Sequence, residues 1–242
     1  MKINHPTSLF DAFKQVRPYP TGMTEIKEQI NGTAFFPGGC GLWEHSLEGS
    51  QSGLPKHPVM ILGQDFDTVQ GYEQSRKRGH ESLVGTWSNL LKLLSRVPIA
   101  KTECFFTNAF PGLRKGRRNT GRSPAWDDGN FVERCRRFFV EEQLAVIQPS
   151  ALVLLGIEPF RFIATIVREP KINLKQSDGF RAIDGHGWGL IHAASLNGAE
   201  QTLDIATITH PCIPSNRRYR SYKGMRGPEA ELLILRSISS NK

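Results

Sequence analysis

The chain has 242 residues, of which 38% are hydrophobic and 22% charged, so it can form one large α/β domain with an ordinary folded core. Its net charge of +8 at pH 7 fits nucleic acid, an anionic membrane surface or no specific partner, so the placement of the charges must decide between them. The sequence has neither an apolar signal region nor a run long enough to cross a membrane, and its four scattered cysteines fit neither a disulfide framework nor a zinc site. We therefore expect a cytoplasmic protein that neither associates with a membrane nor binds a metal.

Four short apolar runs bounded by turn residues predict strands that are buried on both faces of a sheet. Three of them cover residues 58–63, 103–108 and 151–155, and the fourth begins at Ile205. A weaker run at 190–195 predicts a minor strand. The stretch 31–58 is rich in Gly, Pro and Ser and predicts an irregular layer over the sheet.

Segments with helical spacing of apolar residues separate these strands. The predicted helices are a short one that buries Leu9, Phe13 and Val16, and four that begin near Thr86, Asp127, Gly156 and Pro228. The residues between the first strand and Thr86 predict a polar, basic loop. Because strands alternate with helices and no repeat or linker interrupts them, we predict a single domain, residues 1–242. Its predicted fold is a three-layer α/β/α sandwich with a central, mainly parallel four-stranded sheet.

Polar side chains follow three of the predicted strands, namely Asp65, Asn108 and His210. In an open parallel sheet, groups just beyond the carboxyl ends of the strands share one crevice, where ligands bind. Each residue alone has a commoner structural role, as a helix or turn cap, a turn former or a buried structural histidine. Their coincidence at three strand ends favours a site in which an acid or base, an amide and an imidazole face one ligand.

Basic residues are concentrated in three segments that each follow a predicted strand, namely 76–78, 114–122 and 217–226. Because the loops at the carboxyl ends of parallel strands lie on one face, we expect these residues to ring the predicted crevice. Charged residues favour any surface loop, but three clusters at one edge favour a phosphate-binding face. A crevice with Asp, Asn and His at its floor and Arg at its rim indicates an enzyme that acts on a nucleic-acid base.

These motifs resemble those of the uracil-DNA glycosylase superfamily, in order, over roughly residues 58–219. Gly63-Gln64-Asp65 resembles the water-activating motif of that family, which typically reads G-Q-D-P-Y-H. Phe106-Thr107-Asn108 stands where the family carries the Asn that reads uracil. The segment 210–215, His-Pro-Cys-Ile-Pro-Ser, resembles the H-P-S-P-L-S loop that supplies a catalytic His and a wedge for the minor groove.

The resemblance implies a monomeric enzyme that hydrolyses the N-glycosidic bond of uracil or a related damaged base in DNA, with water and no cofactor. Asp65 and His210 would be catalytic, and Ile213 would fill the gap left by the flipped nucleotide. The implied base-binding residues are Gln64, Phe66, Asn108 and Tyr72. The implied phosphate-binding residues are Arg114, Lys115, Arg117, Arg118, Arg217, Arg218 and Arg220.

The sequence departs from the family pattern at three places, one of which is Cys212-Ile213-Pro214, where the wedge is shifted so that Ile213 would take the role of Leu. The middle of the chain is closest to the iron–sulfur branch, but only Cys135 fits the cluster pattern, so an iron–sulfur centre is not expected. Phe66 and Asp67 replace the Pro-Tyr after the catalytic Asp, and that Tyr excludes thymine in the family. Asp67 is smaller and polar, so we expect weaker discrimination against 5-substituted uracils, unless Phe66 fills the volume.

Two other functions fit parts of the same sequence. A nucleic-acid-binding protein of this fold that has weak or lost catalysis would keep the basic face, and the replacements at Asp67 and Cys212 favour it. A nucleotide hydrolase is a weaker alternative, because a small substrate does not need so many dispersed cations. Metal binding by His186 and His192 is not expected, because no acidic residue accompanies them at ligand spacing.

Overall fold

The computed structural model describes residues 6–43 and 55–239 and has a mixed α/β fold built on one seven-stranded sheet. The strands are β1 Met23–Thr24, β2 Val59–Thr68, β3 Cys104–Arg114, β4 Ala151–Leu155, β5 Val167–Glu169, β6 Leu190–Leu196 and β7 Thr202–Ile208, and a separate hairpin pairs β8 Ser221–Tyr222 with β9 Met225–Arg226.

The helices lie between these strands in the alternation that the sequence predicts. They are α1 Pro6–Ala12, α2 Val69–Arg78, α3 Thr86–Leu94, α4 Gly129–Arg137, α5 Ala145–Ile147, α6 Ile157–Ala164, α7 Phe180–Gly185 and α8 Pro228–Ser239. A π-helical segment, Phe138–Leu144, joins α4 to α5, so one long helical rod runs from 129 to 147. Asp128 caps its start by accepting a hydrogen bond from the backbone N–H of Phe131. No helix in the described ranges is long and apolar enough to cross a bilayer.

The centre of the sheet is parallel and its edges are antiparallel. The strand order is β1-β3-β2-β4-β7-β6-β5, in which β3, β2, β4 and β7 are parallel neighbours. β1 and β6 join this core antiparallel, and β5 pairs antiparallel with β6. The four predicted strands are therefore the parallel core. The predicted count of four is wrong, because β1 and β5 are too short to produce an apolar pattern.

Alternate residues of the central strands belong to two different hydrophobic clusters. In β2, Met60 and Leu62 pack in a cluster with the helices α1, α4 and α6, whereas Val59 and Ile61 pack in another with α3 and α8. Such two-sided burial explains why these strands are continuous apolar runs in the sequence. The N-terminal prediction is confirmed as well, since Leu9, Phe13 and Val16 are fully buried.

β2 and β3 extend well beyond their predicted ends, and this extension forms one wall of a cleft. β2 pairs with β4 only as far as Leu62, opposite Leu154, but it pairs with β3 as far as Thr68, opposite Arg114. The two strands therefore project as a ribbon past the carboxyl end of β4. The space above β4 lies between this ribbon and the segment that follows β7.

The segment that the sequence predicts as a basic loop after β2 is helix α2 instead. It carries few apolar residues, and its buried contacts come from Tyr72 and Ser75, so it lacks the pattern of an amphipathic helix. Thr68 caps the helix by accepting from the N–H of Gly71 at 3.0 Å. The basic residues 76–78 form its last turn, where cations favour the helix dipole, and Arg76 pairs with Glu28 and Glu73.

Candidate active site

The cleft above β4 has a volume of about 670 Å³ and brings together the three polar residues predicted from the strand ends. Asp65 and Asn108 line it from the β2–β3 ribbon, and His210 lines it from the segment after β7. Leu155 forms part of its floor at the end of β4. The ends of parallel strands therefore converge on one cavity, in the manner of open α/β sheets.

Asp65 forms a buried ion pair with Arg114. The Arg114 Nε donates to Asp65 Oδ2 at 2.7 Å, and the two side chains are only 6% and 5% exposed. Burial raises the pKa of Asp65, and the guanidinium of Arg114 opposes this effect. The carboxylate is thus fixed in one orientation, and its pKa lies above the ordinary value for an Asp.

Arg114 also anchors the basic loop that follows β3. Its Nη1 and Nη2 donate to the carbonyl oxygens of Thr120 and Gly121, each at 2.9 Å. With its amide oriented to match its neighbours, Gln64 donates to the same Gly121 carbonyl and accepts from the N–H of Ser123. The prediction for Arg114 is therefore corrected, because this residue is buried and unavailable to phosphate. Gln64 lines the cleft, as predicted for a base-binding residue, and also holds the loop at the edge of the cleft.

Asn108 pairs with Gly63 of β2, and its side chain fits there because glycine has no side chain. A Cβ on Gly63 would overlap the Asn108 Oδ1, so the glycine of the Gly-Gln-Asp motif makes space for the amide. Asn108 Nδ2 donates to the carbonyl of Phe36 at 3.1 Å, which fixes which end of the amide is the donor. The side chain is only 3% exposed, so it offers a rigid amide edge to the cleft.

His210 is held in one tautomer by its own turn. The backbone N–H of Cys212 donates to His210 Nδ1 at 3.2 Å, so Nδ1 is an acceptor and the proton of the neutral ring is on Nε2. Burial lowers the pKa of His210, which keeps the ring neutral at pH 7. His210 therefore faces the cleft as a neutral hydrogen-bond donor.

A buried ionic network, which we term the Arg220 network, fixes the backbone around His210. It consists of Asp184, Arg217, Arg220 and Glu231. Arg220 is fully buried and donates to both carboxylate oxygens of Asp184 at 2.9 Å and to the carbonyl of Thr207 at 2.6 Å. Glu231 accepts from the N–H of Thr209 at 2.6 Å and pairs with Arg217 at 3.0 Å. Arg217 and Arg220 therefore hold the strand end that carries His210, which corrects the prediction that both bind phosphate.

The aromatic residues that line the cleft include Phe66, which the sequence predicts, and Phe35, which it does not. Phe66 lies over Gly38, where any Cβ would overlap its ring, and it is partly buried. Phe35 packs its ring against Trp87 and Phe106, with centroids 5.1 and 5.5 Å away. Phe35 could not be predicted as a cleft residue, because it lies in the irregular stretch 31–58. Residues 44–54 of that stretch lie outside the described residues.

Tyr72 does not line the cleft. It is 4% exposed, it packs edge-on behind Phe66, and its hydroxyl donates to the carbonyl of Glu28 at 2.8 Å. The prediction that Tyr72 binds the base is therefore corrected to a packing role for the residue in α2.

Asp67 lines the cleft but turns toward the start of α2. Its Oδ1 accepts from the N–H of Thr68 at 2.6 Å, and a Cβ on Gly71 would overlap its carboxylate. A hydrogen bond from Asn119 also reaches this carboxylate, and burial raises its pKa. The side chain therefore leaves open the volume that a Tyr would fill at this position.

Glu81 is a third acid of the cleft, after Asp65 and Asp67, and it was not predicted from the sequence. It is 7% exposed, lies between α2 and α3, and accepts from the N–H of Ala34 at 2.8 Å. Burial raises the pKa of Glu81 to about 7. No motif surrounds it, and Ala34, one of its partners, is 47 residues away in the chain, so the sequence gives little indication of its burial.

The remaining predicted rim residues are on the surface. Lys115, Arg117, Arg118 and Arg218 are exposed, and Ile213 is 40% exposed. The loop that carries Ile213 is fixed to α3, because Asn89 donates to the carbonyl of Pro211 at 3.0 Å and Thr86 contacts the Cys212 sulfur at 2.7 Å. An apolar tip on an anchored loop suits insertion into a base stack.

No protein-family model matches this chain, and none of the curated proteins is a sequence match. The arrangement of the cleft therefore carries the functional argument. Among the described residues, no group of three or more His, Cys, Asp or Glu side chains is placed to hold a metal ion.

Proposed function

We propose that this protein is a DNA glycosylase that hydrolyses the N-glycosidic bond of uracil or a related damaged base. The observation that carries the proposal is the placement of Asp65, Asn108 and a neutral His210 around one cleft at the carboxyl edge of the sheet. These groups supply the three functions that hydrolysis of a nucleoside needs: a carboxylate for the sugar, an amide for the base edge and a donor for the leaving group.

Asp65 acts on the sugar side of the bond. As the C1′–N1 bond breaks, its electron pair moves to the base and the sugar develops positive charge. The Asp65 carboxylate stabilises that charge and orients a water molecule, whose oxygen bonds to C1′ and whose proton passes to the carboxylate. The raised pKa of Asp65 suits it to accept this proton, and Arg114 keeps it oriented.

His210 acts on the leaving base. Its Nε2–H donates a hydrogen bond to the base oxygen on which negative charge develops. A neutral imidazole can donate this hydrogen bond because its proton is on Nε2. The Cys212 N–H selects this tautomer by donating to Nδ1. The released base then takes a proton from solvent.

Asn108 selects the base by its edge. The N3–H of uracil donates to Asn108 Oδ1, and the second hydrogen of Nδ2 donates to O4, while the first remains on the Phe36 carbonyl. Cytosine presents a ring acceptor and an amino donor at these two positions, so it mismatches a fixed amide. Phe35 and Phe66 supply aromatic surface for the face of the extruded base.

DNA would be bound along the carboxyl edge of the sheet. Lys115, Arg117, Arg118 and Arg218 contact phosphates, and Ile213 occupies the space that the flipped nucleotide leaves. In the same proposal, the helices on the two faces of the sheet are the outer layers of a three-layer α/β/α sandwich, and the protein acts on DNA as a cytoplasmic monomer.

The test uses labelled single- and double-stranded oligonucleotides that carry uracil, thymine, hypoxanthine or xanthine at one position. The proposal expects alkali-labile sites at uracil or at one of the other damaged bases. The alternative of a binding protein with lost catalysis expects tight, salt-sensitive binding with no alkali-labile site. The replacements at Asp67 and Cys212 favour this alternative. Cleavage at any of these bases would reject it.

A further inference from the structure

A second cluster of cationic and aromatic side chains lies at the same edge of the sheet as the cleft, on the far side of β7. β6 runs antiparallel to β7, so its first residue lies beside the carboxyl end of β7. The N–H of Thr207 donates to the carbonyl of Gly189 at 2.9 Å, which fixes the turn before β6 next to that end. The end of α7, this turn and the segment Pro214–Tyr219 therefore meet beyond the wedge residue Ile213.

The centre of the cluster is Tyr219, which contacts two arginines. The guanidinium carbons of Arg181 and Arg218 are 4.9 and 4.7 Å from the centroid of its ring. Arg218 Nη2 also donates to the Tyr219 hydroxyl at 2.6 Å. Both arginines are exposed at their ends, yet the ring holds them in place, so little side-chain entropy remains to be lost on binding.

These two guanidinium groups have no acidic partner in the described part of the chain. The nearby acids are already engaged, since Asp184 binds both donors of Arg220 and Glu231 pairs with Arg217. The two positive charges contact the same ring and repel each other, and a bound anion would offset this repulsion. Planar, preorganised guanidinium groups are the preferred protein ligands of phosphate.

An aromatic pair lies at the end of α7, the helix that carries Arg181. The rings of His186 and Trp188 stack, with centroids 4.5 Å apart and an angle of 28° between their planes. Trp188 is anchored below by Phe160, while His186 is exposed. A supported, exposed ring next to fixed cations is how proteins bind single-stranded nucleic acids, because an unpaired base has a free face and a phosphate close by.

We propose that Arg181, Arg218, Tyr219, His186 and Trp188 form a binding site for single-stranded DNA that flanks the target nucleotide, hereafter the flank site. The flank site rests on the proposed glycosylase function only for the path of the DNA strand, which leaves the cleft past Ile213 toward β6. Lys115, Arg117 and Arg118 lie at the other end of the cleft, after β3, and would bind the opposite flank. The flank site has the aromatic pair, so its flank is the one bound as a single strand.

The test measures the affinity of the full chain for oligonucleotides that carry one non-hydrolysable 2′-fluoro deoxyuridine. A short strand that spans only the cleft is compared with strands extended at the 5′ end or at the 3′ end, as single strands and as duplexes. A single-stranded extension at one end should raise the affinity, and a duplex extension at that end should raise it less. The variant Arg181→Gln/Arg218→Gln should lose this gain, and its slope of log K against log salt for the extended strand should fall by about 1.4.

The matched control is Arg168→Glu, which changes an exposed arginine in β5. Val167 pairs with Leu196 at the end of β6, so Arg168 lies near the opposite edge of the sheet and its substitution should leave the gain intact. His186→Ala is a second, independent variant, which should remove the preference for a single-stranded extension. A full gain in the double arginine variant, or an equal gain from both ends, would overturn the flank site. If only the glycosylase proposal is wrong, uracil and cytosine strands bind alike, while the salt slope for long strands still falls in the double variant.

Discussion

At the scale of single residues, His210 shows how a backbone contact decides chemistry. The Cys212 N–H selects the neutral tautomer with its proton on Nε2, and burial lowers the pKa of the ring. Base excision should therefore need a deprotonated Asp65 together with a neutral His210. Both conditions fail toward acid, and Asp65 fails earlier than an ordinary Asp because its pKa is raised.

We expect single-turnover excision to fall as the pH is lowered below neutral and to stay level as it is raised to mildly alkaline values. In His210→Gln the overall rate should fall, because a less suitable donor replaces the imidazole, but the acid limb should persist because Asp65 causes it. The measurement is the excision rate against pH in both proteins. A limb that vanishes with His210 would assign it to the imidazole instead.

Asp67 makes a prediction about selectivity. Its carboxylate accepts a hydrogen bond from the Thr68 N–H and packs against Gly71, so Asp67 itself does not fill the position of the thymine-excluding Tyr in the glycosylases that the sequence resembles. The loss of a steric block for one methyl group is worth about 1–3 kcal/mol. The ratio of kcat/KM for uracil over 5-methyluracil should therefore be small, and Asp67→Asn, of equal size, should leave it unchanged. Strict rejection of 5-methyluracil by the wild type would show that another residue, such as Phe66, closes the pocket.

At the scale of elements, two buried acids tie loops and helices to the cleft. Glu81 holds the segment between α2 and α3 against the backbone of Ala34, and burial raises its pKa to about 7 from an ordinary 4.5. The folded state thus binds the Glu81 proton more tightly than the unfolded state. This contribution to stability is fully present below about pH 4.5 and is lost as the pH rises through about 7.

Glu81→Gln should remove that dependence. Between pH 4.5 and 7 the free energy of unfolding of the wild type should decline relative to the variant, by at most roughly 3 kcal/mol. Urea unfolding of the two proteins across this range tests it. Parallel curves of stability against pH would mean that Glu81 titrates as an ordinary, solvated carboxylate.

Helix α8 contributes the other buried acid, Glu231, which belongs to the Arg220 network. Glu231→Gln leaves Arg217 and Arg220 with less negative charge in a buried site, so unfolding should become easier by about 3–5 kcal/mol. Glu229→Gln in the same helix is the control, because Glu229 is 59% exposed in its pair with Arg96 and should contribute less than about 1 kcal/mol. Similar urea midpoints for the two variants would contradict the structural role of Glu231.

The same elements show how far the sequence could predict the structure. Continuous apolar runs identified β2, β3, β4 and β7, because burial on both faces imposes that pattern. Helix α2 was missed because it buries little apolar surface, and the two shortest edge strands leave no period to detect.

At the scale of the whole molecule, the cleft arises from unequal strand lengths. β2 and β3 continue past the end of β4, so Asp65 and Asn108 stand opposite His210 across an open space. The convergence of these three residues could be predicted from their positions after strands of a parallel sheet. The pairing of the arginines could not, because Asp65 is 49 residues from Arg114 and Asp184 is 36 residues from Arg220. The residues next to a basic side chain in a loop do not reveal whether it binds a phosphate or a buried carboxylate.

The single-turnover release of uracil by the wild type and by Asp65→Asn tests the central claim most directly. The variant keeps the size of the side chain and a partner for Arg114 but removes the charge that stabilises the sugar cation. The account predicts release by the wild type, a rate that is lower by about 10²-fold or more in Asp65→Asn, and little change in the affinity for DNA. Asp127→Asn, at an exposed acid that pairs with Arg122, should excise at the wild-type rate. Excision by Asp65→Asn at a rate near that of the wild type would contradict the account.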